Sequence, residues 1–253
     1  MILWLPFHLG CLAATDKAIV LGTEPLAPDE VAVEMTVQID HHYRSNGPRD
    51  IEDAGTVSLG KVHIEEINKH LEARNEIVPV PGRLYLVYFM FTLHPPLAGR
   101  LYRQCALQIT LTDKESAAYD LLASSCGDQA DRYLNVNNRG LFSLGAEGFL
   151  PRPLLVKPRD VQVNFFGIGE HEFYWFYKSI KDKGIPEGSH VAVAVLEVPE
   201  GKEKLTATLE FRGLMATEIT GWWFSSKVLP IKARIDLDLK TGKTSTTLLD
   251  KAK

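Results

Sequence analysis

Cysteine is scarce in this chain: Cys11, Cys105 and Cys126 are all it has, at no spacing a disulfide framework or metal cluster uses. So sparse a set points to a reducing compartment, and a cytoplasmic location is the expectation. Clustered positive charge is also missing. The 28 Lys and Arg are spread among 32 Asp and Glu, for a net charge of −4. Without a basic stripe there is no field to hold nucleic-acid phosphates, so no nucleic-acid partner is expected. An anionic membrane surface is disfavoured on the same ground.

No apolar run has the length a helix needs to span a bilayer. The opening segment, Met1 to Ala14, is apolar and ends in small residues. No Lys or Arg precedes it, and Pro6 and His8 interrupt it, so it reads as a retained first strand rather than a signal peptide. The Gly-x-Ser-x-Gly elbow and the dinucleotide glycine fingerprint are absent as well. Neither a cofactor nor a specific reaction is expected, and the identity of any small-molecule ligand stays open.

What is present is alternation. Hydrophobic residues make up 45% of the chain, enough for a core that needs no staples. Val31, Val33, Met35, Val37 and Ile39 alternate with polar neighbours, the period of a half-buried strand. Arg83 to Leu93 is apolar on both faces and reads as a central strand covered on both sides. Leu101, Cys105, Leu107, Ile109 and Leu111 form another inward row, with Arg103 intruding in the apolar register. His190–Val198 reads as a strand between Pro-Glu-Gly turns, Leu205–Phe211 and Ile231–Leu239 alternate, and Thr241-Gly242 turns the last of them into 244–249.

Two helices are expected. Lys61–Arg74 carries Ile64, Ile67 and Leu71 at helical spacing, and Asp113–Ser125 follows a capping-box pattern at Thr112–Glu115. The fold class is therefore mostly β, an antiparallel β-sandwich with two short helices. The polar stretch Gly127–Gly140 suggests two packed sandwich-like halves, 1–127 with the helices and 128–253 all β.

Candidate chemistry is thin. Gly55–Lys61 matches the start of a phosphate-binding loop, but Val62 stands where a hydroxyl is needed and an acidic segment precedes it, so nucleotide hydrolysis is rejected. On a helix, His63, Glu66 and His70 would share one face and could bind a transition metal, with His41 or His42 completing the set. No zinc signature has that spacing. Cys126 at a helix C-terminus would lack the field that makes a thiolate. The acid pairs Asp236/Asp238 and Glu170/Glu172 fit solvent-facing strand positions.

The unusual feature is aromatic clustering, in Phe173–Tyr177 and Trp222-Trp223-Phe224. Neighbours on a strand face opposite ways, so Trp222, Trp223, Phe224 and Trp175 are the candidates for an exposed binding patch. The leading expectation is a non-enzymatic module that binds another protein, as a subunit of a larger assembly. A metal-assisted hydrolase built on His63, Glu66 and His70 is one alternative, and a membrane-inserting β protein is the other.

Overall fold

The structure is a computed structural model and describes residues 19–21, 25–40, 51–73, 80–97, 99–122, 132–136, 141–145, 154–156, 161–180, 184–219 and 222–249. Met1–Ala14, His41, His42, Cys11 and Cys126 lie outside the described residues.

The strands, in chain order, are β1 (Ile19–Leu21), β2 (Val31–Asp40), β3 (Ile51–Gly60), β4 (His63–Glu66), β5 (Arg83–Leu93), β6 (Arg100–Leu111), β7 (Ala117–Leu121) and β8 (Arg132–Val136). They continue as β9 (Phe142–Gly145), β10 (Leu154–Val156), β11 (Val161–Phe166), β12 (Glu172–Ser179), β13 (Gly188–Val198), β14 (Lys204–Ile219), β15 (Trp222–Asp238) and β16 (Thr244–Leu248). The protein is thus mostly antiparallel β, as its alternation predicts.

One sheet dominates. Its order is β11-β12-β6-β14-β15-β2-β3-β5-β13-β7, with β16 added beside β15 and β4 beside β5. The sheet curls until its two ends approach each other. Ala118 N–H donates to the Glu170 carbonyl and Gly169 N–H to the Ala118 carbonyl, joining β7 to the β11–β12 turn. The result is a nearly closed, barrel-like sheet, and the expectation of a sandwich gives way to that description. Strands from both sides of position 127 interleave in it, so the division 1–127/128–253 does not correspond to separate sheets.

The core lies inside the curl, where opposite parts of the sheet meet. Phe89 of β5 and Trp175 of β12 have ring centroids 6.0 Å apart, and Phe91 meets Tyr177 edge-on at 5.3 Å. The Trp175 indole N–H donates to the Leu122 carbonyl at 3.1 Å, and the Tyr177 hydroxyl to the Val191 carbonyl at 2.8 Å. Their polar tips are thereby satisfied in a dry interior. β5 is covered on both faces, as its apolar run demands. Tyr85, Val87, Phe89 and Phe91 enter the main core, while Leu84, Leu86 and Tyr88 join a second cluster with Ile67, Leu71, Val136 and Leu122. A small second sheet, β1-β10-β8-β9, contributes Val136 to that cluster, with Phe142 packed against it.

Both expected helices are corrected. Lys61–Arg74 yields β4 and a short helix, α1 (Asn68–Ala73). Pairing of Ile64 and Glu65 with Val87 and Leu86 captures the first part, because a buried neighbouring strand outweighs a weak local helical preference. The segment from Asp113 opens as a turn, then becomes β7, paired with β13. Asp113 accepts from the Glu115 N–H at 3.2 Å and the Ser116 hydroxyl at 2.6 Å, so the capping signal is spent on a local turn.

Candidate membrane-contacting end

The antiparallel register brings one set of strand ends to the same pole of the molecule. Phe224 of β15 pairs with Thr217 of β14, which pairs with Arg100 at the start of β6. Ile51 at the start of β3 pairs with Asp40 at the end of β2, which pairs with Lys227 of β15. Lys178, near the end of β12, pairs with Gln104, which places Ile180 beside the first residues of β6. The β5–β6 connection then crosses this pole. Leu97 N–H donates to the Ala54 carbonyl at 3.1 Å, and Glu218 N–H donates to the Gly99 carbonyl at 2.8 Å.

Large apolar side chains are exposed around that crossing. Leu97 is 52% exposed, Ile51 and Ile180 47% each, and Phe224 37%. Four such residues share this pole, while Phe166, Ile168 and Tyr174 form a second exposed group at the opposite one. The β14–β15 hairpin also carries the backbone of Trp222 and Trp223 to this pole, opposite Ile219 and Glu218.

Of the charges at the pole, Arg100 is tied inward, while Glu52, Asp53, Glu218 and Lys227 are exposed. The Arg100 side chain is only 8% exposed and bonds Glu52 at 2.5 Å. It also donates to the Asp53 carbonyl at 2.9 Å, which pins β6 to β3 across the opening. A guanidinium held this way exchanges water for a charge-assisted bond, while the Glu52 carboxylate that it meets stays half exposed. At the opposite pole, Phe166 and Tyr174 stack on one another at 5.0 Å beside the β11–β12 turn, covering part of their own apolar surface.

Of the sequence candidates, Trp175 is corrected outright: it is fully buried, with Phe173 and Tyr177 on the inward face of β12. Phe224 is exposed, as a surface patch requires. Trp222 and Trp223 are placed only by their backbone register. The residues missed by sequence reading are Leu97, Ile51 and Ile180, which are far apart in the chain. A lone Leu after Pro95-Pro96 was the available signal for the first of them.

The proposed metal face is not assembled. His63 lies on β4 and bonds Glu30 at 2.9 Å, Glu66 approaches Lys69 and Arg83 at 3.9 Å each, and His70 lies on α1. Positions three apart on a strand face opposite ways, so the shared helical face is lost. Among the described residues no group of three or more His, Cys, Asp or Glu could hold a metal ion. The Gly55–Gly60 segment is part of β3 rather than a loop leading into a helix. Cys105 is a core residue whose burial pushes its thiol up, the opposite of what a nucleophile needs.

No protein-family model matches the chain. No curated protein matches it either. Solved structures of similar shape exist. One, described as "Pore forming protein", is 10% identical with a TM-score of 0.48 over 84% of this chain and 100% of that one. Another, the Clostridium perfringens delta-toxin, is 9% identical with a TM-score of 0.42 over 85% of this chain and 98% of that one. A third, the Clostridium perfringens NetB toxin in the membrane-inserted form, is 7% identical with a TM-score of 0.36 over 85% of this chain and 100% of that one. Likeness at this level carries no argument for an activity or a mechanism. The cytoplasmic, non-enzymatic interaction module, with a membrane as an unlikely partner, is not carried forward beside neighbours described as pore-forming proteins and toxins, and the membrane-inserting alternative is taken up below as a proposal.

Proposed function

We propose that this chain is a β protein that inserts into lipid bilayers and that the pole carrying Ile51, Leu97, Ile180 and Phe224 makes the first contact. The observation behind this reading is the gathering of those exposed side chains at one end of the curled sheet. Each recovers part of about 1.5–3 kcal/mol when its apolar surface leaves water. Together they match the scale of weak, reversible anchoring, comparable with a single acyl chain. Trp222 and Trp223 on the same hairpin add the residue type enriched at membrane–water interfaces.

In this reading insertion uses strands. No helix among the described residues is long and apolar enough to cross a membrane. Strands can span only if their edges pair, so entry into hydrocarbon requires closure with further strands. Self-association of several copies is the form of protein partner that this reading implies.

Co-flotation with vesicles, together with release of a trapped dye, tests the proposal. The wild-type chain should float with neutral vesicles and release dye, and Leu97→Ser with Phe224→Ser should reduce both by about tenfold or more. If the chain stays at the bottom of the gradient with both neutral and anionic vesicles, the reading fails.

A further inference from the structure

The pole opposite the apolar one holds a concave polar site. Four cationic side chains from separate elements converge there: Lys69 on α1, Arg83 on β5, Lys202 in the β13–β14 turn and Lys240 in the β15–β16 turn. They line a pocket of about 260 Å³ with Glu66, Glu203 and Tyr85. The four cations against two carboxylates leave a surplus of two positive charges in the lining.

Their ion pairs are loose. Glu66 lies 3.9 Å from both Lys69 and Arg83, outside hydrogen-bonding distance of each, and Lys240 lies 3.7 Å from Glu203. Only Lys202 is held closely, by Asp113. Arg83 lies two residues from Tyr85 on the same face of β5, and both line the pocket. A planar guanidinium presents paired N–H groups in a rigid fork, so less entropy is lost for each hydrogen bond it makes to an anion.

From this geometry we infer an anion-binding site that takes a small phosphate or phosphate ester, with Arg83 as its bidentate donor and Lys69 and Lys240 as flanking charges. The ligand class follows from the donors: a planar fork beside flexible ammonium groups suits a tetrahedral dianion with several acceptor oxygens. The ligand's size follows from the volume, which falls just under the range of about 300–1,000 Å³ usual for drug-sized ligands. Glu66 is the competing carboxylate, and the anion displaces it from the two cations it approaches.

Calorimetric titration of the full chain with inorganic phosphate and with pyrophosphate, at constant ionic strength, tests the site. Saturable binding is expected, pyrophosphate the tighter. Arg83→Gln should weaken it about tenfold or more, and Glu66→Gln should tighten it. Lys69→Gln, at a side chain that is 82% exposed and outside the core, gives a second loss of affinity free of folding effects. A parallel arm with vesicles containing phosphatidic acid separates the sources. Arg83→Gln acting on soluble phosphate alone assigns a dissolved ligand, and acting on the vesicles as well assigns a headgroup. Absence of saturable binding in both arms, or binding indifferent to Arg83→Gln and Glu66→Gln alike, overturns the site. The soluble arm does not depend on membrane insertion, so the two readings fail separately.

Discussion

The Trp175 indole is enclosed by Phe89 and Phe173 and hydrogen-bonded through its only donor, so it is part of the interior. Trp175→Ala should cost about 3–5 kcal/mol, read as a lowered urea midpoint, because the cavity left among rings cannot collapse fully. A loss below about 1 kcal/mol would mean that the core is not packed as described. Carboxylates on the outer face make a second test. Asp236 is held below its ordinary value by hydrogen bonds from Arg234 and Thr206. For Glu210, burial pushes upward, but hydrogen bonds and charge from Arg212 and Lys232 outweigh it. A depressed carboxyl contributes stability above its unfolded value and loses it as the pH falls through the folded one. Unfolding midpoints should therefore drop between about pH 5 and pH 3, and Asp236→Asn should flatten part of that slope. The Asp236 share is small, since the side chain is largely in water. A slope unchanged in Asp236→Asn and in Glu210→Gln would remove both groups from the account.

Elements show how far alternation reads and where it stops. The inward rows of β14 and β15 are Leu205–Phe211 and Ile231–Leu237, as their period predicts, and the turn at Gly242 falls where Thr241-Gly242 signals it. In β6 the row breaks. Gln104 pairs with Leu214 and Tyr102 with Met215, which leaves Arg103 as the extra residue of a bulge. The bulge shifts the register so that Tyr102 enters the core in place of Arg103. This explains a charged residue at an apolar position, and nothing local to the sequence marks it. β4 and β7 were illegible for a related reason: their identity as strands comes from β5 and β13, which lie distant in the chain. The β11–β12 turn offers an element-scale test. Gly167 has φ +99° and a Cβ there would sit 2.4 Å from the Glu172 carbonyl oxygen, whereas Gly201 at φ +83° faces open space. Gly167→Ala should cost well over the roughly 1 kcal/mol expected of Gly201→Ala, compared by thermal melts. Equal costs would mean that the turn does not pack as closely as described.

At the scale of the molecule, the sheet's closure decides what lies at its poles. Mostly antiparallel β structure was legible in the alternation, but the barrel-like curl was not, because strand order depends on pairings such as β12 with β6 and β5 with β13. The candidate site was half legible. Phe224 was visible as part of an aromatic cluster, while Leu97, Ile51 and Ile180 join it only through register and the crossing of the β5–β6 connection. Arg100, bonded to Glu52 and to the Asp53 carbonyl, holds that crossing in place and keeps its charge off the rim. The exposed apolar side chains at this pole stand among exposed charges such as Glu52 and Lys227, a mixture of the kind found at a membrane–water interface.

The measurement that bears most directly on this is depth-sensitive fluorescence from single labels at the two poles. Leu97→Cys and Ile168→Cys, each carrying a polarity-sensitive dye, would be compared in a chain with Cys11 and Cys126 replaced by serine; the native residues are about equally exposed, at 52% and 50%. On adding neutral vesicles, the label at 97 should shift to the blue and be quenched by lipid-borne bromine, while the label at 168 stays in water. A shift at 168 and none at 97, or none at either, would contradict the assignment of the apolar pole to the membrane.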